Sequence, residues 1–201
     1  MTPPEHETTG QMERRERFRL IYEANYEGIL GYALRRTDSA ADAHDVVNET
    51  FLVAWRRLED VPGGERARLW LYGTARRTLA NHYRGRRRHR RLVAKLQTQP
   101  RERDEPAMAG AGPETDGVSR AFSRLSEDDK ELLLLVGWEE LDSTEVAEVL
   151  ACKPSTARVR LHRARKRFAR ELATEGLKQD GTPGHVEGRW ATARPDAEEA
   201  L

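Results

Sequence analysis

One cysteine, Cys152, stands in a chain of 201 residues, so no internal disulfide framework is open to it. Aromatic residues make up only 6% and hydrophobic residues 37%, with a mean hydropathy of −0.82, a composition that argues against one large, deep core. No apolar run approaches the length of a membrane span. The start, MTPPEHETTGQMERRERF, has no apolar segment of the kind a secretory signal needs. A chain lacking all of these is expected in the cytoplasm, with no membrane insertion. Two further absences bear on chemistry. No Gly-rich phosphate loop closes on Lys-Ser or Lys-Thr, and no metal-ligand spacing is present. No catalytic residue, metal or cofactor is therefore expected, and an enzyme is the least favoured class. Period-two runs bounded by hairpin turns are missing too, which leaves an all-α fold.

Net charge is nearly absent as well, 35 Lys and Arg against 34 Asp and Glu giving +1. That total hides a segregation along the chain, and the segregation is the informative quantity. Arg84 to Arg91 reads RGRRRHRR, and Lys153 to Arg170 carries eight Lys and Arg with no acid among them. Acids dominate between the two patches, from Glu102 to Glu148. Residues 97–119, QTQPRERDEPAMAGAGPETDGVS, are rich in Pro, Gly and charge with little to bury, and are expected to form a flexible linker. Residues 1–11 and 176–201 share that composition and are expected to be disordered, with Trp190 an isolated aromatic in the tail. The chain thus divides into two small helical domains, 12–96 and 120–175.

In the first domain Phe18, Ile21, Tyr22, Tyr26, Ile29, Leu30 and Ala33 recur at three- and four-residue steps, one apolar stripe on a helix. A second helix starts near Ser39, where Ser-Ala-Ala-Asp resembles a capping box, and continues through Val46, Val47, Phe51, Ala54 and Leu58. Asp60-Val-Pro-Gly-Gly64 is turn chemistry. A third helix then carries Leu69, Tyr72, Arg76, Leu79 and Tyr83 into the first basic block. Trp70, Tyr72, His82 and Tyr83 interleave with its arginines, as stacking on exposed bases would require. Spacing alone leaves open whether Trp70 and Tyr72 are core instead.

The second domain has a helix from about Ser126, another from Ser143, then Ala151-Cys152-Lys153 and a last helix opened by Pro154. Two short helices joined by a three-residue turn, the second strongly basic, form the pattern of a helix-turn-helix. Ala157, Leu161, Ala164 and Phe168 share the face that must pack inward. The opposite face carries Ser155, Val159, His162, Arg163 and Lys166, flanked by Thr156, Arg158 and Arg160, and such a face fits the DNA major groove.

These residues resemble a family. Asp42-Ala-His-Asp-Val-Val-Asn-Glu-Thr-Phe51, Ala54-Trp55 and Leu69-Trp70-Leu71 leading to Ala75-Arg76 look like region two of the extracytoplasmic-function (ECF) sigma factors of bacterial RNA polymerase. Leu125-Ser126, Leu132 to Leu135, Glu145-Val-Ala-Glu148, Ser155-Thr156 and Arg160 to Arg165 look like region four. The resemblance implies a sigma factor that binds core polymerase, recognises minus-ten and minus-thirty-five promoter elements and promotes melting. It nominates Asp42, Asp45, Asn48 and Glu49 to meet the clamp of the largest subunit, while the leading helix of region four would meet the flap of the second-largest. The segment Glu59 to Arg66, including Asp60, is similar to the loop that captures a base of the minus-ten element, and Arg76, Arg77, Asn81 and Arg84 would line that strand. Ser155, Thr156, Arg158, Val159, His162, Arg163 and Lys166 would read the minus-thirty-five element. An anti-sigma factor is a further candidate partner. Arg77, Asn81, His44 and Ala157 depart from the usual family residues, which bears on the promoter sequence rather than on the class.

As a free coil the expected linker would span roughly 25 Å, and stretched about 70 to 80 Å. Two promoter elements about two helical turns apart lie roughly 70 Å from each other. The linker would then be nearly taut, held along the polymerase. The rival reading is a helix-turn-helix regulator that binds DNA alone as a dimer and needs no polymerase.

Overall fold

The computed structural model describes residues 5–96 and 113–176. The first half consists of α1 (Glu5–Leu34), α2 (Ala40–Arg56), a 3-10 turn (Leu58–Asp60) and α3 (Arg66–Leu96). The second consists of α4 (Pro113–Ser123), α5 (Glu127–Gly137), α6 (Ser143–Val149) and α7 (Pro154–Thr174). No strand occurs among the described residues.

Local chemistry sets most of the helix starts. Ser39 Oγ accepts the Asp42 N–H at 3.1 Å and Ser126 Oγ accepts the Asp129 N–H at 3.2 Å, each satisfying a donor that the first turn leaves without a partner. At α6 the cap is reciprocal: the Asp142 carboxylate accepts the Glu145 N–H at 2.9 Å while Glu145 accepts the Asp142 N–H at 2.9 Å. Pro154 opens α7, where a missing N–H costs nothing.

Two boundaries differ from the sequence reading. α1 begins at Glu5, inside the segment expected to be disordered, and α4 begins at Pro113, inside the expected linker. α4 gains its partners just beyond the expected linker, where composition does not reveal them. Ala121 and Leu125 are buried, and Phe122 meets Phe168 of α7 edge-on at 5.9 Å, so packing overrides a weak local preference. The remaining linker, 97–112, and the tail with Trp190 lie outside the described residues.

The first half closes around Ile29, Tyr32 and Ala33 of α1, Val46, Val47 and Phe51 of α2, and Leu71, Tyr72 and Ala75 of α3, all buried. Phe18, Tyr22 and Tyr26 continue this seam along α1 against Phe51, with ring centroids 6.4, 4.7 and 6.3 Å away. In the second half Leu132 and Leu135 of α5, Val146 and Ala147 of α6, and Ala157, Leu161 and Ala164 of α7 form the corresponding core. Its turn between α6 and α7 is tight, with Ala151 in the left-handed region at φ 51° and Cys152 N–H donating to Ala147 at 2.9 Å. Cys152 is half-buried against the core.

The halves pack on each other, which the sequence reading did not anticipate. Gly73 of α3 is where α6 crosses: a Cβ there would stand 3.3 Å from the Val149 carbonyl oxygen. Charged pairs surround the crossing. Arg66 meets Glu148 at 3.0 Å and Arg68 meets Glu145 at 3.4 Å. At the end of α1, Tyr32 Oη donates to Glu131 at 2.8 Å, Arg36 Nε donates to the same carboxylate at 2.7 Å, and Arg35 meets Glu139 at 2.6 Å. Burial and the Glu131 carboxylate push the Tyr32 hydroxyl well above its usual range, so it is a fixed donor.

Candidate nucleic-acid interface

α7 presents the face expected of it. Ala157, Leu161 and Ala164 are buried against α6 and α5, and Ser155, Arg158, Val159, His162, Arg163 and Lys166 point outward, with Thr156 half-buried at the edge. Val159, 50% exposed, is an apolar side chain set among bases and hydroxyls, suited to a thymine methyl. Not every cation of the helix is free for phosphate. Arg167 Nε and Nη2 donate to Asp129 at 2.7 and 2.5 Å, bracing α7 on α5. Those bonds from Arg167 hold the Asp129 carboxyl below its usual value, against the opposing effect of burial.

The first half contributes a loop and a helix face. Glu59 and Asp60 are exposed on the 3-10 turn, with Asp60 bonded to Arg57 at 2.8 Å. Val61 is buried behind them and ties the loop to the core. Arg77, Asn81 and Arg84 are exposed along α3, while Arg76 is half-buried and Arg66 reaches across to Glu148. Arg77 donates to Thr74 Oγ1 at 3.1 Å, and Arg84 donates to Asn81 Oδ1.

The aromatics of α3 are mostly structural. Tyr72 is buried 5.3 Å from Tyr32, and burial together with Glu139 pushes its hydroxyl up to about 12. Tyr83 Oη donates to the Arg36 carbonyl and His82 meets Asp42 at 3.1 Å. Trp70, His82 and Tyr83 are half-buried, and of these Trp70 has, among the described residues, no bond that ties it to the bundle as His82 and Tyr83 are tied.

On α2, Asp45, Asn48 and Glu49 are exposed at three- and four-residue spacing with Leu52, which is 39% exposed. Asp42, one turn earlier, turns instead toward His82. The structure therefore brings three of the four residues nominated for the clamp into one strip and gives the fourth a contact within the bundle.

Arg76 of α3 and Arg160, Arg163 and Arg167 of α7 line one cleft between the halves, about 270 Å³ in volume, together with Asp128, Asp129 and Glu131. Arg35, Arg36, Glu139 and Gly73, which the sequence reading did not single out, join the two halves elsewhere along their contact. Each looks like an ordinary surface charge or a helix glycine until its partner in the other half of the chain is seen. Among the described residues no group of three or more His, Cys, Asp or Glu could hold a metal ion, and no helix is long and apolar enough to cross a membrane.

A helical bundle followed by a helix-turn-helix defines a two-part DNA-binding architecture, and comparison with known proteins specifies it. Residues 21–89 match Sigma-70 region 2 and residues 116–168 match Sigma-70 region 4. The RNA polymerase sigma-H factor of Pseudomonas aeruginosa is 32% identical over 154 residues, 72% of this chain and 80% of that protein. The ECF RNA polymerase sigma factor SigL of Mycobacterium tuberculosis H37Rv is 29% identical over 147 residues, 73% of this chain and 83% of that protein. The fold is shared with the sigma factor RpoE of Bartonella quintana, solved with the anti-sigma factor NepR, at a TM-score of 0.58 and 22% identity over 78% of this chain and 96% of that one. The chain belongs to the ECF group of the sigma-70 family. Its function is that of the family: it binds core RNA polymerase, recognises promoters and initiates transcription.

Proposed function

We propose that α7 reads the minus-thirty-five element through Ser155, Thr156, Arg158, Val159, His162, Arg163 and Lys166, while the loop Glu59 to Arg66 captures a minus-ten base. Arg76, Arg77, Asn81 and Arg84 follow the displaced strand. The strip Asp45, Asn48 and Glu49, with Asp42 at its end, docks on the polymerase clamp, and the leading helices of region four on the flap. The observation that carries this reading is the acid-free exposed face of α7 behind Pro154. No step needs catalysis by this chain. Duplex binding by region four anchors the complex, and capture of a base leaving the stack shifts the melting equilibrium toward the open form. We place the protein in the cytoplasm, where the polymerase and promoter are, with an anti-sigma factor as a further partner of the kind the Bartonella structure contains.

The packed arrangement bears on this mechanism. α6 crosses α3 at Gly73 and Arg76 lines the cleft beside region four, so region four borders the start of the proposed strand track while Arg77, Asn81 and Arg84 stay exposed. Arg66, bonded to Glu148, and Arg76, in the cleft, become free for the minus-ten strand once the halves separate, and the polymerase supplies the surface that holds them apart. Permanganate footprinting with holoenzyme tests the assignment. Alanine changes in Asp60 and Arg66 should spare closed-complex binding and lower thymine reactivity; unchanged reactivity would remove the loop from the mechanism.

A further inference from the structure

A loop that captures a base needs a fixed point of departure, and two arginines near the start of α1 supply one. Arg14 and Arg17 lie three residues apart, ahead of residues 21–89 where the region-two match runs. Arg14 Nη2 donates at 2.7 Å to the carbonyl of Trp55, in the last turn of α2, where helix geometry leaves carbonyls without a partner. Its guanidinium also lies 5.1 Å from the centroid of the Trp55 ring. Arg17 Nη2 donates at 2.8 Å to the carbonyl of Val61, just past the 3-10 turn. Between these two anchors both guanidinium groups flank the Glu59 carboxylate, at 3.6 Å from Arg14 and 3.5 Å from Arg17. Two forks on one helix thus hold three acceptors along the chain from Trp55 to Val61.

The other side of the loop is free by comparison. A Cβ on Gly63 or Gly64 would meet nothing within 4 Å, and Gly64 sits at φ 62°. Glu65 is exposed, while Arg66 at the loop's far end meets Glu148 of α6 at 3.0 Å. The loop therefore has a tied stem and an open stretch at Gly63 to Glu65, with Arg66 held by region four until the halves part. Arg19, two residues beyond Arg17, behaves differently: it meets Glu16 at 2.6 Å and Glu23 at 2.8 Å on its own helix, where such pairs support local helicity only.

We infer that Arg14 and Arg17 are positioning residues for the base-capturing loop, clamping its stem so that the tip is presented to the minus-ten strand in one arrangement. The inference rests on the reading of Glu59 to Arg66 as that loop. Ordering a few residues at the moment of capture costs free energy of the same order as one base pocket returns, so a stem ordered beforehand leaves more of that return for melting.

The test uses holoenzyme and the full chain, with Arg17→Ala, Arg17→Lys, the pair Arg14→Ala with Arg17→Ala, and Arg19→Ala as the control. Promoter opening is followed by permanganate reactivity and closed-complex affinity on duplex promoter is measured separately. The paired variant should open about tenfold more slowly, the loss of a clamp that lowers the ordering cost, with closed-complex affinity within about twofold. Arg17→Lys, which keeps a donor for Val61 but loses the fork that also reaches Glu59, should fall between wild type and Arg17→Ala. Arg19→Ala should open normally. In the free chain, amide exchange should quicken at Val61 to Ala67 and stay unchanged in α2. Unchanged exchange at those amides overturns the clamp, as does wild-type opening by the paired variant when Asp60→Ala and Arg66→Ala do slow opening. If Asp60→Ala and Arg66→Ala open normally as well, the loop reading itself is lost, and the clamp with it. Should the paired variant fail to fold, Arg17→Ala and Arg17→Lys decide by the same two readouts.

Discussion

Arg36, in the turn after α1, and Glu139, just past α5, meet at 3.0 Å with their side chains only 7% and 2% exposed, a charged pair buried between the two halves. Removing Arg36 takes one partner from both Glu139 and Glu131, leaving the first with Arg35 and the second with Tyr32, and breaking a buried charged network costs about 3 to 5 kcal/mol. Arg36→Ala is accordingly expected to separate the halves while each keeps its helices. Small-angle scattering should report a larger radius of gyration with unchanged helical circular dichroism.

Gly73 gives a second way to part the same surfaces. A Cβ there would press on the Val149 carbonyl at 3.3 Å, backbone that has little room to yield. Gly73→Leu should loosen α6 from α3 and speed amide exchange in α6. Exchange in α2, whose Val46, Val47 and Phe51 are buried in the region-two core, should not change.

Arg158 and Arg163 are exposed on the outer face of α7. If they neutralise phosphates, alanine at either should weaken binding of holoenzyme to promoter duplex across all sequences, and lower the dependence of log affinity on log salt by about 1 per lost contact. Val159→Ala should act differently, relaxing preference at one base position with the salt slope unchanged.

Asp129 makes region four sensitive to acid. Its native pKa is lowered from 3.8 by the hydrogen bonds from Arg167 and Ser126. The carboxylate therefore contributes stability that is present above the unfolded value and is lost as pH falls through the native one. Denaturation midpoints measured between pH 6 and pH 3 should drop more steeply for wild type than for Asp129→Asn. At pH 7 that variant should be less stable by about 1 to 2 kcal/mol, the cost of a weakened cap and a broken charged hydrogen bond.

Ala151, exposed and at φ 51°, holds a left-handed conformation that disfavours any side chain with a Cβ. Glycine there should stabilise the helix-turn-helix by about 0.5 to 1 kcal/mol, readable as a higher urea midpoint at unchanged slope.

The helix starts were legible because their causes are local. Ser39, Ser126, Asp142 and Pro154 each act within three residues of themselves, and the apolar spacing of Ala157, Leu161 and Ala164 dictated which face of α7 would turn outward. What was not legible depends on partners far away in the chain. Tyr72 could equally have been a stacking group, until Tyr32 and the burial around it were seen. Arg35, Arg36, Glu131 and Glu139 read as solvated charges, since nothing in a window of one helix tells a surface ion pair from a buried one. α4 was hidden for the same reason: Phe122 has its partner, Phe168, on α7.

The length of α3 has an effect of its own. Its 31 residues extend roughly 46 Å at 1.5 Å each, so the backbone leaves region two at the end of a long boom. The sixteen residues that follow before Pro113 cannot pay out more than about 55 Å. Region four is tethered to the far tip of that rod, so rod and tether together bound how far it can sit from region two once the packed surfaces part.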